Sequence, residues 1–188
     1  LTSVKGFSSL LVDEKFGKLP PEAKKRLKKI DENVNKLVDM VNVLLDISRI
    51  ESGKTEVKIA PSDLAKLIEE VTDFLSPQME AKKIEFSKQL PEELSVYMDT
   101  NLIERVLINL INNSIKFTPE QGKIMINCTT DQGKAVVSIS DTGCGIDKAE
   151  LEKVFSEFYR TKTTQTIQGT GLGLAIATSI LTHHQARI

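Results

Sequence analysis

The chain has 188 residues, enough for one ordinary domain with a helical extension, and its 25 basic and 26 acidic side chains nearly cancel. That balance argues against nucleic acid or an anionic membrane as the main partner, and no apolar run of about 18 residues exists to span a bilayer. The two cysteines, Cys128 and Cys144, fit no metal-ligand spacing and read as reduced cytosolic thiols, and no signal-peptide pattern opens the chain.

Residues 1–12 (LTSVKGFSSLLV) begin in mid-pattern with no cap, as the interior of a helix would. Residues 13–21, with Gly17 and the pair Pro20-Pro21, form a turn. From 22 to 51, Leu27, Ile30, Val34, Leu37, Val41 and Leu44 recur at alternating three- and four-residue spacing, the mark of an amphipathic helix with a seam. The seam could pack on its own domain. A hairpin with residues 1–12 is too small to bury it alone, so pairing with a second copy into a four-helix bundle is the expectation. Ser52-Gly53 ends the helix, and a second domain starts at 53.

In that domain 55–59 alternates as a strand, and Pro61-Ser62-Asp63 starts a helix to about residue 82. Short strands follow near 84–89 and 95–98. Asp99, with Thr100, caps a helix over 101–117 that Pro119 stops. At 100° per residue, Asn109, Asn113 and Lys116 share an arc of about 60°, with Arg105 and Asn112 beside it. A solvated face would usually carry Glu, Lys and Gln, whereas Asn is a poor helix former. An amide oxygen can ligate Mg²⁺ without competing with phosphate for its charge, and an ammonium one turn on can pair with a phosphate oxygen.

Residues 123–129 and 134–140 form a β-hairpin around 131–133, and the second strand runs into Asp141-Thr142-Gly143-Cys144-Gly145-Ile146. A carboxylate there is either an Asx turn with glycine or a pocket-wall acceptor for an exocyclic amine such as that of adenine. An aspartic protease would need a second Asp-Thr-Gly to share the proton, and only one occurs. Residues 147–154 read as a short helix, followed by Phe155, Phe158, Tyr159 and Arg160. The polar stretch 161–168 reads as a mobile lid.

The run Gly169-Thr170-Gly171-Leu172-Gly173-Leu174 precedes an apolar helical stretch over 172–181. Its glycines let the backbone approach an anion, and the helix aims free N–H groups and its positive end at the same place. It is no P-loop, since Leu174 and Ala175 follow Gly173 where Lys and Ser/Thr belong. Its GxGxG spacing is not a Rossmann turn either. Alone, the run is only a glycine-rich loop.

Taken in order, NLINNSIKFT at 109–118, DTGCGI at 141–146, FSEFYR at 155–160 and GTGLGLAI at 169–176 resemble the N, G1, F and G2 boxes of sensor histidine kinases. LTSVKGF resembles the segment after that family's H box, and residues 22–51 its second dimerisation and phosphotransfer helix. The resemblance implies an α+β fold: a helical hairpin, half of a dimeric four-helix bundle (1–52), then a catalytic ATP-binding α/β sandwich with a mixed sheet (53–188). It implies ATP and Mg²⁺ as cofactors, with Asn113 as the metal ligand, Asn109 beside it and Lys116 on phosphate. Asp141 would hold the adenine amine while Gly143, Gly145 and Ile146 shape the base pocket, and Phe117 and Tyr159 are also implied to touch the nucleotide. Arg160 and the backbone from Gly169 through Thr170, Gly171, Leu172 and Gly173 to Leu174 would enclose the phosphates.

The implied reaction moves the γ-phosphoryl group of ATP to a histidine and onward to an aspartate of a response regulator receiver domain. The implied partners are a second copy, through residues 1–51, and that receiver domain, with no nucleic acid and no membrane contact by these residues. The expected location is cytoplasmic, with membrane attachment of the parent protein left open. The acceptor histidine is expected upstream of Leu1, so these 188 residues alone are expected not to autophosphorylate. His183 and His184 are expected to cap or pack, and the family's last β-hairpin is expected beyond Ile188. A dimeric receiver-binding scaffold with a regulatory nucleotide site is the alternative. A related ATPase of the topoisomerase or mismatch-repair type is a third option, which lacks the helical hairpin.

Overall fold

The computed structural model describes residues 6–7, 10–15, 17–51, 57–161, 163 and 169–188, in two compact units, Leu1–Arg49 and Ile50–Ile188. In the first unit, residues 6–7 and 10–12 are helical; the rest of the helix expected over 1–12 lies outside the described residues. Helix α1 (Pro21–Glu51) starts at a proline, whose missing N–H would have had no partner in a first turn, and Glu22 faces its positive end. Lys24 pairs with Glu14 at 3.4 Å and so ties the preceding turn to the helix. Val34 is buried, but Ile30, Leu37 and Val41 of the predicted seam, and Leu45 beside it, are 39–49% exposed. The side chain of Leu44 lies outside the described residues. Within one copy, then, most of the described stripe faces water.

The second unit orders β1 (Ala60–Asp63), α2 (Leu64–Ala81), β2 (Glu85–Gln89), β3 (Ser95–Met98), α3 (Thr100–Phe117), β4 (Lys123–Asp131), β5 (Lys134–Asp141) and α4 (Gly173–His183). Strands β1 and β3 pair antiparallel; β2 and β4 pair parallel, and β4 and β5 antiparallel, which makes the second sheet mixed. Helix α3 packs between α2 and α4 and against β5. The core forms where Ile68 and Leu75 of α2, Ile111 of α3, Ile180 of α4 and Ile126 of β4 meet, all fully buried. Their spacing on the helices is that of one apolar face. On β4 the alternation is plain: Ile124, Ile126 and Cys128 point inward, and Lys123 and Met125 outward.

Local chemistry explains most boundaries. Asp63 caps α2 by accepting from Ala65 N at 3.0 Å, and it also accepts from Leu94 N at 3.1 Å. The Leu94 bond is the main reason that its carboxyl lies below the usual carboxylate range. Pro77 sits inside α2; the carbonyl of Asp73, which loses a backbone donor there, accepts Ser76 Oγ at 2.8 Å. The β4–β5 hairpin closes over Gln132 (φ 47°) and Gly133 (φ 76°), the two left-handed residues that a type I′ turn requires.

Two expectations are corrected. The strand expected at 55–59 falls at Ala60–Asp63, while 57–59 is irregular and 55–56 lies outside the described residues. Lys58 N donates to Asp99 Oδ2 at 2.9 Å rather than to a ladder, and Pro61 is tolerated because β1 pairs on one side only. The helix expected over 147–154 is two 3₁₀ turns, Lys148–Glu150 and Lys153–Phe155, the first capped by Asp147 on Ala149 N at 2.9 Å. Short segments with few apolar contacts close such tight turns rather than an α-helix.

Candidate functional site

Helix α3 is fixed at its start by Asp99, a buried carboxylate that accepts Leu102 N at 3.2 Å and Lys58 N at 2.9 Å. Asp99 N in turn donates to Nε2 of His184 at 3.0 Å, and His184 Nδ1 lies 2.8 Å from the carbonyl of Ile180. The imidazole is therefore neutral with its proton on Nδ1, and it joins the start of α3 to the end of α4. Ile103, Val106, Leu107, Ile111 and Ile115 turn α3's apolar face to the core. Asn109, Asn113 and Lys116 are left facing a cleft of about 750 Å³.

The cleft gathers side chains from distant parts of the chain. Asn109, Asn113, Lys116, Phe117, Asp141, Gly145, Ile146, Tyr159, Arg160, Gly169, Thr170, Gly171, Gly173 and Leu174 all line it. Two of the expected residues do not, and neither do Arg105 and Asn112. Gly143 lies behind Asp141, donating its N–H to Asp141 Oδ1 at 2.9 Å, and a Cβ there would come 2.9 Å from the carbonyl oxygen of Phe117. Leu172 is 1% exposed; it is the apolar anchor at the start of α4, pointing away from the cradle formed by its neighbours.

The cradle is built by close approach. Gly171 has φ +75°, and a Cβ on it would meet the backbone of Phe158 at 2.7 Å and of Tyr159 at 2.9 Å. Among the described residues no side chain caps the N-terminus of α4, and its first N–H groups lie beside Gly173 and Leu174 of the cleft wall. A Cβ on Gly173 would lie 3.5 Å from Asn109 Oδ1 and 3.9 Å from Asn113 Nδ2, and one on Gly169 would strike the ammonium of Lys116. Helix start and α3 polar face therefore meet at one point.

Charge concentrates there too. Burial pushes the Lys116 ammonium below its ordinary value, and the nearby Arg160 guanidinium adds to the shift. Two neighbouring cations in a cleft with free helix N–H groups suit a polyanion. The Tyr159 hydroxyl donates to Glu150 Oε1 at 2.9 Å, which raises its phenol and ties the 158–160 segment to the first 3₁₀ turn.

Val137, Ile139, Leu151 and Val154 add an apolar wall near Asp141, with Leu110, Ser114, Cys144, Thr161 and Ile188 completing the lining. Of these, Val137 and Ile139 were readable from the chain: two-residue periodicity puts them on Asp141's face of β5. The lid expected over 161–168 falls mostly outside the described residues; Thr161 Oγ1 lies 3.1 Å from Thr163 Oγ1.

A mixed sheet backed by helices, with an amide-rich helix, a strand-end carboxylate and a glycine cradle around one cleft, defines an ATPase-type nucleotide-binding domain. Residues 98–188 match the family of histidine kinase-, DNA gyrase B- and HSP90-like ATPases, and residues 1–53 match the His Kinase A (phospho-acceptor) domain. The chain belongs to the sensor histidine kinases, with a dimerisation segment and an ATPase domain.

Over its whole length it is 32% identical to the circadian input-output histidine kinase CikA of Synechococcus elongatus, of which it covers 26%. Over 98% of its length it is 31% identical to the non-motile and phage-resistance protein of Caulobacter vibrioides, of which it covers 23%. The chain thus spans about a quarter of these relatives. Among solved structures, full-length ShkA in complex with AMPPNP superposes with a TM-score of 0.75 at 26% identity, over 96% of this chain and 38% of ShkA. The histidine kinase ThkA, solved with the response regulator TrrA, gives 0.72 at 28% identity, over 98% of this chain and 51% of ThkA.

Proposed function

We propose that this chain is the ATP-binding catalytic core of a sensor histidine kinase: it holds Mg-ATP, delivers the γ-phosphoryl group to a histidine, and feeds a response regulator aspartate. The observation that carries the reading is convergence. Asn109, Asn113 and Lys116 from α3, Asp141 from the end of β5 and the cradle before α4 line one cleft, although up to 65 residues separate them.

Asp141 accepts the adenine amine through its second carboxylate oxygen, the first being held by Gly143 N. Val137, Ile139 and Ile146 cover the base. Lys116, Arg160 and the backbone N–H groups of Gly169, Thr170, Gly171, Gly173 and Leu174 take the phosphates, the N–H of Leu172 being held by Thr170 Oγ1 at 3.3 Å. The donor set fits Mg²⁺ brought by the nucleotide. Among the described residues no cluster of three His, Cys, Asp or Glu exists to hold a cation alone, whereas an amide oxygen of Asn113 can complete a shell made of phosphate oxygens and water. When bound, the ion would neutralise charge on the phosphates. Asn113 orients the tail from one side and the α4 N-terminus from the other, so that positioning and charge neutralisation do the work. In the transfer itself the bond from the γ-phosphorus to the bridging oxygen breaks, ADP leaves with that electron pair, and an imidazole nitrogen takes the phosphorus.

Residues 1–52 serve as dimerisation and phosphotransfer helices, and 53–188 as the catalytic domain. The exposed stripe of Ile30, Leu37, Val41 and Leu45 supports a homodimer through residues 1–51. The ThkA complex with TrrA supports a receiver domain as partner. No described helix is long and apolar enough to cross a membrane. Titration calorimetry with ATP tests the reading: binding is expected with Mg²⁺, weakened by about tenfold in Asn113→Ala through loss of the ligand. Equal affinity with and without the Asn113 amide would contradict the assigned role.

A further inference from the structure

Lys82 stands outside the cleft, as the C-cap of α2, yet its side chain ends on the last turn of α3. Its ammonium donates to the carbonyl oxygens of Ile115 at 2.8 Å, Lys116 at 3.1 Å and Thr118 at 2.8 Å. An ammonium has three N–H donors, and all three are used. The carbonyls of Ile115 and Lys116 are among those a helix leaves without intrahelical partners, at the negative end of its dipole. Helix α3 has no left-handed glycine to close this end, since Thr118 is extended with φ −73° and ψ 131°. The backbone of Lys82 adds a second tie, its carbonyl accepting Gln121 N at 3.0 Å from the turn that follows α3.

The turn held in this way carries two cleft residues. Lys116 and Phe117 both line the pocket, with the Lys116 ammonium 4.6 Å from the Phe117 ring centroid. On its far side the Phe117 carbonyl faces Gly143, the residue that orients Asp141. Release of the carbonyls would let the last turn of α3 fray, and the first side chain to lose its direction would be that of Lys116.

We propose that Lys82 is a positioning residue for nucleotide binding: by holding the carbonyls of Ile115, Lys116 and Thr118 it fixes the end of α3, and with it the cation that Lys116 offers to a phosphate group. The inference rests on the reading of the cleft as a Mg-ATP site. A tie that served stability alone would lower the melting temperature and leave the affinity of the folded protein unchanged.

A double-mutant cycle on the 188-residue chain separates the two, with Mg-ATP titrated into the wild type, Lys82→Met, Lys116→Met and the double variant. Lys82→Met is expected to weaken binding by about tenfold in the wild-type background and by less than about threefold once Lys116 is Met, because coupled residues do not add. Lys82→Arg keeps a multidentate cation and is expected to stay within about threefold of wild type. If Lys82→Met does not fold, Lys82→Gln, with its single amide group, enters the same cycle. Equal losses in both Lys116 backgrounds, or no loss in folded protein, would overturn the role of Lys82 while leaving the cleft assignment intact. A wild-type chain that binds no Mg-ATP would overturn the cleft assignment, and this role with it.

Discussion

Gly171 and Tyr159 meet backbone to backbone: a Cβ on Gly171 would come 2.9 Å from the Tyr159 carbonyl oxygen, and 2.7 Å from the carbonyl carbon of Phe158. The first arm of the phosphate cradle thus rests directly on the segment that brings Tyr159 and Arg160 to the cleft. Gly171→Ala adds the clash to a left-handed φ of +75°, which costs an L residue about 1–2 kcal/mol by itself. The cradle and the 158–160 segment must separate to make room. Nucleotide affinity is expected to fall by at least about tenfold, while Leu172, the cradle's buried side chain, keeps α4 anchored in the core and the melting temperature falls by only a few degrees. Unchanged affinity in Gly171→Ala would mean that the cradle does not depend on this contact.

Lys116 gives a pH-dependent signature. Burial, then Arg160, hold its pKa in the free protein below the ordinary lysine value, so between the folded and unfolded pKa values the unfolded chain binds more protons. The partly buried ammonium therefore weakens the fold at lower pH, and the penalty is relieved as pH rises from the lowered pKa towards the ordinary lysine value. Phosphate oxygens beside the ammonium reverse the shift. Nucleotide binding at alkaline pH should accordingly take up protons, and at neutral pH the Lys116 contribution should vanish. Calorimetry in two buffers of different ionisation enthalpy measures this, and the alkaline uptake should be missing in Lys116→Met.

The two thiols should behave as opposites. Cys128 is buried on β4, and desolvation, with a further contribution from Asp63, raises its pKa, which keeps it protonated and unreactive. Cys144 is exposed and lines the cleft. A thiol reagent should modify one cysteine of the native chain, Cys144, and Mg-ATP should slow that reaction in proportion to its occupancy. Mass spectrometry of the labelled peptides reads both outcomes; labelling of Cys144 at the same rate in saturating nucleotide would place the ligand elsewhere.

Much of this arrangement could be read from the chain because the signals were local. Helices α2 and α3 announce themselves by apolar spacing and by the caps Asp63 and Asp99, and the β4–β5 hairpin by alternation around a left-handed turn. The shift of β1 to Ala60–Asp63 was hidden because its cause, Lys58 N on Asp99 Oδ2, spans 41 residues. Gly143 and the backbone of Leu172 were expected at the site because the resemblance to the family's two glycine boxes includes them. Adjacent residues at a helix start or a tight turn point different ways, and packing decided that Leu172 enters the core while Gly143 backs Asp141. Leu151, Val154 and Ile188 reach the cleft through tertiary packing alone, with no periodic signal near them. His184, expected to cap or pack, does so through a bond to Asp99 N across 85 residues.

The central claim is that Asp141 and the α3 amide face read and hold one nucleotide, and titration of Asp141→Ala with Mg-ATP tests it most directly. Loss of a charge-assisted hydrogen bond to the base, about 1.5–3 kcal/mol, predicts binding weaker by about ten- to a hundredfold with the fold intact. An affinity equal to that of the unsubstituted chain would contradict the account.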